Sequence, residues 1–190
     1  MNLHAKLQQR EAQGRPLRLG VIGAGKFAAM YIAQVPRTPG VHLVGIADLN
    51  PANAKANLDR TGWTAAQYGA ASLEAALKER RTHIGEDWRA LVSHPAIDIV
   101  IEATGNPVAA VEHALETFRQ RKHIVMVTVE ADCFCGPMLA RKAAEAGVVY
   151  SLAYGDQPAL ICDLVDWARA AGFPVVAAGR GQSGGAGFRW

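Results

Sequence analysis

The run Gly23-Ala24-Gly25-Lys26-Phe27-Ala28 has small residues at a spacing suited to one chemistry, the holding of a pyrophosphate against backbone N–H groups. The first glycine permits a tight turn. The second, lacking a side chain, lets a phosphate approach the backbone. Ala28, in the third position, is small enough for close helix–strand packing. N–H groups that open a helix have no intrahelical partner and lie at the positive end of its dipole. Gly23, Ala24, Gly25, Lys26 and Phe27 are therefore candidate cofactor-binding residues. Lys26 reads equally well as an extra charge near the phosphates and as an exposed helix-start lysine. Asp48 stands 25 residues beyond Gly23, at the end of a second apolar run. A carboxylate there can accept hydrogen bonds from the adenosine ribose hydroxyls. In Asp48-Leu49-Asn50-Pro51 the helix cap is already supplied by Asn50, which favours the ribose role for Asp48 over a turn or cap role. Its charge favours NAD over NADP, although Lys55 or Arg60 on the following helix keeps NADP open.

Three further loops are expected at the same edge of the molecule. Ala103-Thr104-Gly105-Asn106 follows a strong apolar run and suits the ribose and nicotinamide side of a dinucleotide, with Asn106 also reading as a helix cap. Thr128-Val129-Glu130-Ala131-Asp132 places carboxylates just past a buried strand. Thr128 is a candidate cofactor-binding residue, and Glu130 is a candidate for orienting substrate, for binding the nicotinamide ribose, or for acting as a catalytic acid or base if burial raises its pKa, with an ordinary helix-start carboxylate as the alternative. Tyr154-Gly155-Asp156-Gln157-Pro158 offers Asp156 as a second catalytic candidate, with helix capping as the alternative. His94, His113 and His123 form no spaced metal constellation and read as structural. Cys133-Phe134-Cys135 lacks a second ligand pair, so no metal is expected.

These residues need a scaffold, and the chain alternates short apolar runs with helical patterns. That alternation marks βαβ units, an α/β doubly wound parallel sheet of the Rossmann NAD(P)-binding kind. Strands are expected at 17–22, 41–47, 97–103, 123–129, 148–152 and 174–178. Asn50-Pro51 and Asn106-Pro107 each read as a cap followed by proline in the first helical turn. Val108, Val111, Leu115 and Phe118 give the second of these helices an apolar stripe. Another helix is bracketed by Pro137 and Gly147. A last one runs from Pro158 to Gly172, with Leu160, Ile161, Leu164, Val165 and Ala168 on one face. Residues 63–93 are less regular, with a helix after Ser72, a short strand at 82–84 and a helical turn after Asp87. Residues 1–16 form an N-terminal extension, residues 17–180 the dinucleotide-binding domain, and residues 181–190 a flexible glycine-rich tail.

Composition narrows the partners. The chain has 190 residues, half of them hydrophobic and 19% charged, with a formal net charge of +3. Its basic clusters lie at expected helix ends, where cations complement the dipole, so no nucleic-acid partner is expected. There is no apolar run long enough for a bilayer and no signal-peptide core, and three cysteines suit a reducing compartment. A cytoplasmic protein with a small-molecule substrate is expected, with homo-oligomerisation left open.

Leu19-Gly-Val-Ile-Gly-Ala-Gly25, the 97–107 segment, Lys122-His-Ile-Val-Met-Val-Thr-Val-Glu-Ala-Asp132 and Tyr154-Gly-Asp-Gln-Pro158 together resemble homoserine dehydrogenase-like oxidoreductases. They are most similar to the branch with a C-terminal SAF domain, which includes the 1-deoxy-D-xylulose-5-phosphate reductoisomerase-like enzymes of isoprenoid synthesis. The resemblance spans roughly residues 17–180. It implies hydride transfer between NAD or NADP and a small carbonyl or alcohol. Two departures matter. Thr128-Val129 stands where homoserine dehydrogenases carry Asn-Lys, and Thr128 can keep only one hydrogen bond of the asparagine amide. Members of the family also continue into a substrate-binding and dimerisation domain, so a second domain is expected to be missing. The competing readings are a non-catalytic nucleotide-binding module, either redox-sensing or a truncated fragment, and, more distantly, an S-adenosylmethionine-dependent methyltransferase.

Overall fold

The computed structural model describes residues 2–154 and 157–179. They fall into two compact units that divide between Ser151 and Leu152. In the first unit α1 (Leu3–Ala12) precedes β1 (Leu17–Ile22), α2 (Lys26–Gln34), β2 (Val41–Ala47) and α3 (Pro51–Arg60). Then come β3 (Tyr68–Ala70), α4 (Leu73–Glu79), β4 (Thr82–Gly85) and α5 (Trp88–Ser93). The unit continues through β5 (Ile99–Glu102), α6 (Pro107–Arg119), β6 (His123–Met126) and α7 (Val129–Ala146) into β7 (Tyr150–Leu152), whose last residue is the first of the second unit. The second unit carries α8 (Gln157–Ala170).

The strands form one sheet in the order β3-β4-β2-β1-β5-β6-β7. The pairings of β1 with β2 and β5, of β4 with β2 and β3, and of β5 with β6 are all parallel. The doubly wound α/β reading is therefore correct. From β1 the chain adds β2 beside it, crosses to the edge strand β3, inserts β4 between β3 and β2, then returns to place β5 on the other side of β1. The loops after β1 and β5 thus leave neighbouring strands in opposite senses and open a crevice at their carboxyl ends.

Local sequence explains the punctuation. Asn50, Ser72, Asp87 and Asn106 each accept a backbone N–H bond in the first turn of the following helix. Pro51 and Pro107 occupy first-turn positions where a missing N–H costs nothing. On one face of the sheet Leu19, Val21, Leu43 and Ile46 pack with Ala28 and Ile32 of α2 and Ala54 and Leu58 of α3. Each fully buried large aliphatic side chain stabilises the fold by about 1.5–3 kcal/mol. The other face needs room. Val44 is an extra residue in β2, since Leu19 pairs with Leu43 and Gly20 with Gly45. A Cβ on Gly45 would stand 2.6 Å from Leu73 and Leu91, so its absence lets α4 and α5 close on the sheet.

Several expected boundaries shift. The strand expected at 97–103 spans only Ile99–Glu102, and the one at 148–152 only Tyr150–Leu152. The strand expected at 123–129 ends at Met126, and Val129 already opens α7. That helix contains Pro137 in its interior instead of starting there, and ends at Gly147 in the left-handed conformation. No strand forms at 174–178: Pro174 offers no N–H, and Val176 is 96% exposed with no neighbouring strand among the described residues. On α8 Leu160 and Leu164 are exposed, whereas Ile161, Val165 and Ala168 are half-buried. The N-terminal segment holds a helix that the sequence reading lacked. Its Glu11 accepts from the Gly40 N–H at 3.0 Å and from Arg80 at 2.8 Å. Among the described residues no helix is long and apolar enough to cross a membrane.

Candidate functional site

The loop between β1 and α2 is held by backbone geometry. Gly23 has φ +88°, and its N–H donates to the Ala47 carbonyl at 2.8 Å. A Cβ at Gly23 would lie 2.8 Å from the Ala103 carbonyl oxygen, so this loop and the one after β5 touch through a position only glycine can fill. Gly25 caps α2 without a side-chain bond, and a Cβ there would meet nothing within 4 Å. Open space thus faces the uncapped helix start. Ala28 is buried against the sheet, as its small size anticipates. Lys26 and Phe27 are exposed.

Asp48 does more than the sequence reading assigned it. Its Oδ2 accepts the Ala24 N–H at 2.7 Å, and its Oδ1 accepts the Asn50 N–H at 2.8 Å. Asn50 caps α3 through its own side chain, so Asp48 is not needed as a cap. Each carboxylate oxygen keeps a further lone pair. Ala24 is buried, and its carbonyl accepts from Asn57 Nδ2, whose Oδ1 in turn accepts from Arg60. The Ala24 N–H is thus committed to Asp48, and Arg60 is engaged with Asn57.

The loop after β5 is braced from both sides. The Gly105 N–H donates to Thr128 Oγ1 at 3.0 Å, and Asn106 Oδ1 caps α6 by accepting from Val108 and Ala109. Thr104 Oγ1 donates to Glu102 Oε1 at 2.6 Å and accepts from the Asn106 N–H at 3.2 Å. Thr128 is buried, so its hydroxyl supports the loop from beneath.

A crevice of about 500 Å³ brings Gly23, Gly25, Asp48, Ala103, Thr104 and Asn106 into one lining, within the size range of small-molecule sites. Ala24, Lys26, Phe27, Gly105, Thr128 and Glu130 do not line it. Glu130 is exposed in the first turn of α7, so the burial on which its acid–base role was conditioned is not there. Its neighbour Asp132 accepts from the Tyr150 hydroxyl at 2.8 Å. Burial first, and then that bond, push the Tyr150 hydroxyl well above the ordinary phenol range. Asp156 lies outside the described residues.

Among the lining residues that the sequence reading did not name as site residues are Trp88 and His113. His113 was read as structural. Its Nδ1 lies 3.1 Å from Oε1 of Glu102, a carboxylate with no solvent exposure at the end of β5. The signal was present in Ile-Asp-Ile-Val-Ile-Glu-Ala: a glutamate closing a buried strand needs a partner. His94 and His123 do have structural roles, each accepting a backbone N–H through Nδ1. The described residues contain no group of three or more potential metal ligands.

With this geometry in place, comparison with known proteins is informative. A family model described as an oxidoreductase family with an NAD-binding Rossmann fold matches residues 17–152. A second, described as the catalytic domain of oxidoreductase DRL, matches residues 155–186. No curated protein matches the chain. Among solved structures, a homoserine dehydrogenase from Thiobacillus denitrificans aligns with TM-score 0.56 and 20% identity, over 72% of this chain and 29% of that one. The biliverdin reductase of Synechocystis sp. PCC 6803, solved with biliverdin and NADP+, aligns with TM-score 0.50 and 25% identity, over 72% and 37%. An NAD binding oxidoreductase from Klebsiella pneumoniae aligns with TM-score 0.51 and 21% identity, over 83% and 39%. The chain thus spans less than two-fifths of the length of each of these three proteins. Since the first model covers most of the chain and the glycine loop, the parallel sheet and the crevice agree with it, this chain belongs to the GFO/IDH/MocA oxidoreductase family, with an NAD-binding Rossmann fold.

Proposed function

We propose that the chain is the cofactor-binding part of an NAD(P)-dependent oxidoreductase that transfers hydride to or from a small carbonyl or alcohol. The observation carrying this reading is the shared crevice, in which Gly23, Gly25, Asp48, Thr104 and Asn106 line one cavity at the strand switch point. The residues fit a dinucleotide. Open space faces the helix start at Gly25, where N–H groups suit a pyrophosphate. The Asp48 carboxylate has lone pairs left for the adenosine ribose hydroxyls. Ala24 and Thr128 act by holding the two loops that Gly23 joins.

When bound, the nicotinamide ring supplies or accepts the hydride. The chain's own residues orient it: the loop at 103–106 sets the nicotinamide side, and Lys26 adds positive charge beside the phosphates. Asp156 is the candidate for moving the substrate proton, and Glu130, being exposed, is the candidate for orienting substrate or binding the nicotinamide ribose. The substrate class follows the homoserine dehydrogenase-like and reductoisomerase-like resemblance, and the match of residues 155–186 to an oxidoreductase catalytic domain supports a dehydrogenase or reductase. Asp48 favours NAD, and the NADP+ bound by the Synechocystis relative keeps NADP in view.

The experiment is to mix the purified chain with reduced cofactor and a panel of small aldehydes and ketones, and to follow nicotinamide absorbance. Cofactor consumption that depends on one carbonyl class supports the reading. Saturable cofactor binding with no turnover on any carbonyl would instead favour the non-catalytic module.

A further inference from the structure

The same crevice is lined by Leu49, which follows Asp48, and by Trp88, Glu112 and His113. By the fold's own rule the carboxylate at the end of β2 marks the adenosine ribose, and we assign the base to the part of this lining that the phosphates and riboses leave free. Leu49 is 94% exposed, and Trp88 stands edge-on to His113 with ring centroids 4.4 Å apart. One face of Trp88 is covered by Arg89, which also pairs with Glu112.

His113 is 5% exposed and its orientation is fixed by a carboxylate beneath it. The direction of that bond follows from the neighbours. Glu102 Oε1 accepts the Thr104 N–H at 3.3 Å and the Thr104 hydroxyl proton at 2.6 Å. Oε1 is an acceptor throughout, so the imidazole proton facing it sits on Nδ1. Nε2 makes no hydrogen bond among the described residues and is left as an acceptor in the neutral ring. Glu102 Oε2, fully buried, has no partner among the described residues either, so nothing else competes to turn the carboxylate away from His113.

We propose that His113 Nε2 reads the base of the bound dinucleotide, accepting a hydrogen bond from the adenine 6-amino group, with Glu102 as the positioning residue that fixes the tautomer. The inference rests on the nucleotide reading given above. It makes the site selective for a 6-amino over a 6-oxo purine, because a 6-oxo group would set acceptor against acceptor.

The test is calorimetric binding of NADH and NADPH to the full chain, repeated with the nicotinamide hypoxanthine analogue of whichever binds. The analogue should bind about tenfold more weakly, the scale of one net hydrogen bond. In His113→Phe, which keeps a ring beside Trp88, the two affinities should become equal. Equal or tighter binding of the analogue by the unaltered chain would overturn the proposal without touching the nucleotide reading. Discrimination that persists in His113→Phe would overturn the assignment to His113 and point to another acceptor in the lining, such as Glu86. Binding of neither NADH nor NADPH would overturn both. The comparison on the unaltered chain needs no variant to fold.

Discussion

The Ala24 N–H donates to Asp48 Oδ2 at 2.7 Å, joining the glycine loop after β1 to the end of β2. The residue read as a ribose ligand is therefore also the tie that holds the phosphate loop in place. Asp48→Asn keeps the size but loses the charge and one of the two acceptor oxygens. The variant should bind NADH about tenfold more weakly, about 1.4 kcal/mol. Its preference should move toward NADPH, because the charge that repels a 2′-phosphate is gone. Paired titrations with the two reduced cofactors measure both effects.

Gly23 cannot be replaced without moving the neighbouring loop. At φ +88° a side chain is strained by about 1–3 kcal/mol, and its Cβ would press on the Ala103 carbonyl. Gly23→Ala should lower the unfolding free energy by at least that strain and abolish cofactor binding. Gly25→Ala, whose Cβ meets open space, should leave stability within about 0.5 kcal/mol and still weaken binding. Denaturant melts with parallel titrations separate the two glycines.

The loop after β5 depends on Thr128. Thr128→Val removes the acceptor for the Gly105 N–H and should cost about 0.5–1.5 kcal/mol of stability, with weaker cofactor binding. Thr128→Ser retains the hydroxyl and should bind cofactor as the unaltered chain does. A serine variant as impaired as the valine one would show that the methyl group, not the hydrogen bond, holds the loop.

Acid should destabilise the start of β2, where Glu11 of α1 is tied to Gly40 and Arg80. Burial, more than any other influence, holds the His42 imidazole below its ordinary value. Between that lowered value and about 6.5 the unfolded chain takes up a proton that the folded chain refuses, so stability falls as pH drops through this window. Glu11 adds to the trend at lower pH. Its bonds to Arg80 and to the Gly40 N–H depress its carboxyl, so the stability it contributes is present above about 4.5 and is lost below. Urea midpoints from pH 7.5 to 4 should decline in both windows, and His42→Gln should flatten the upper one.

Much of the frame was legible because periodicity and punctuation are local. The bounds of β1 and β2, the caps at Asn50, Ser72, Asp87 and Asn106, and the order of the glycine loop and Asp48 follow from short stretches of sequence. What escaped depends on contacts distant in the chain. The short β3 has only three residues and exists because β4 pairs with it. Pro137 looked like a helix start because proline is common there, yet α7 accepts it in its third turn. The Glu102–His113 pair joins a strand to the helix after it across 11 residues, and only the packing of α6 on β5 brings them together. Glu130 followed the opposite course: its position past a strand suggested enclosure, and the helix begun at Val129 leaves it in the open.

The central claim, a dinucleotide held in the crevice between the loops after β1 and β5, is tested most directly by calorimetric titration of the full chain with NADH and with NADPH. The account predicts saturable one-to-one binding of at least one of them, abolished in Gly23→Ala. Absence of binding for both cofactors, by a chain shown to be folded by circular dichroism, would contradict it.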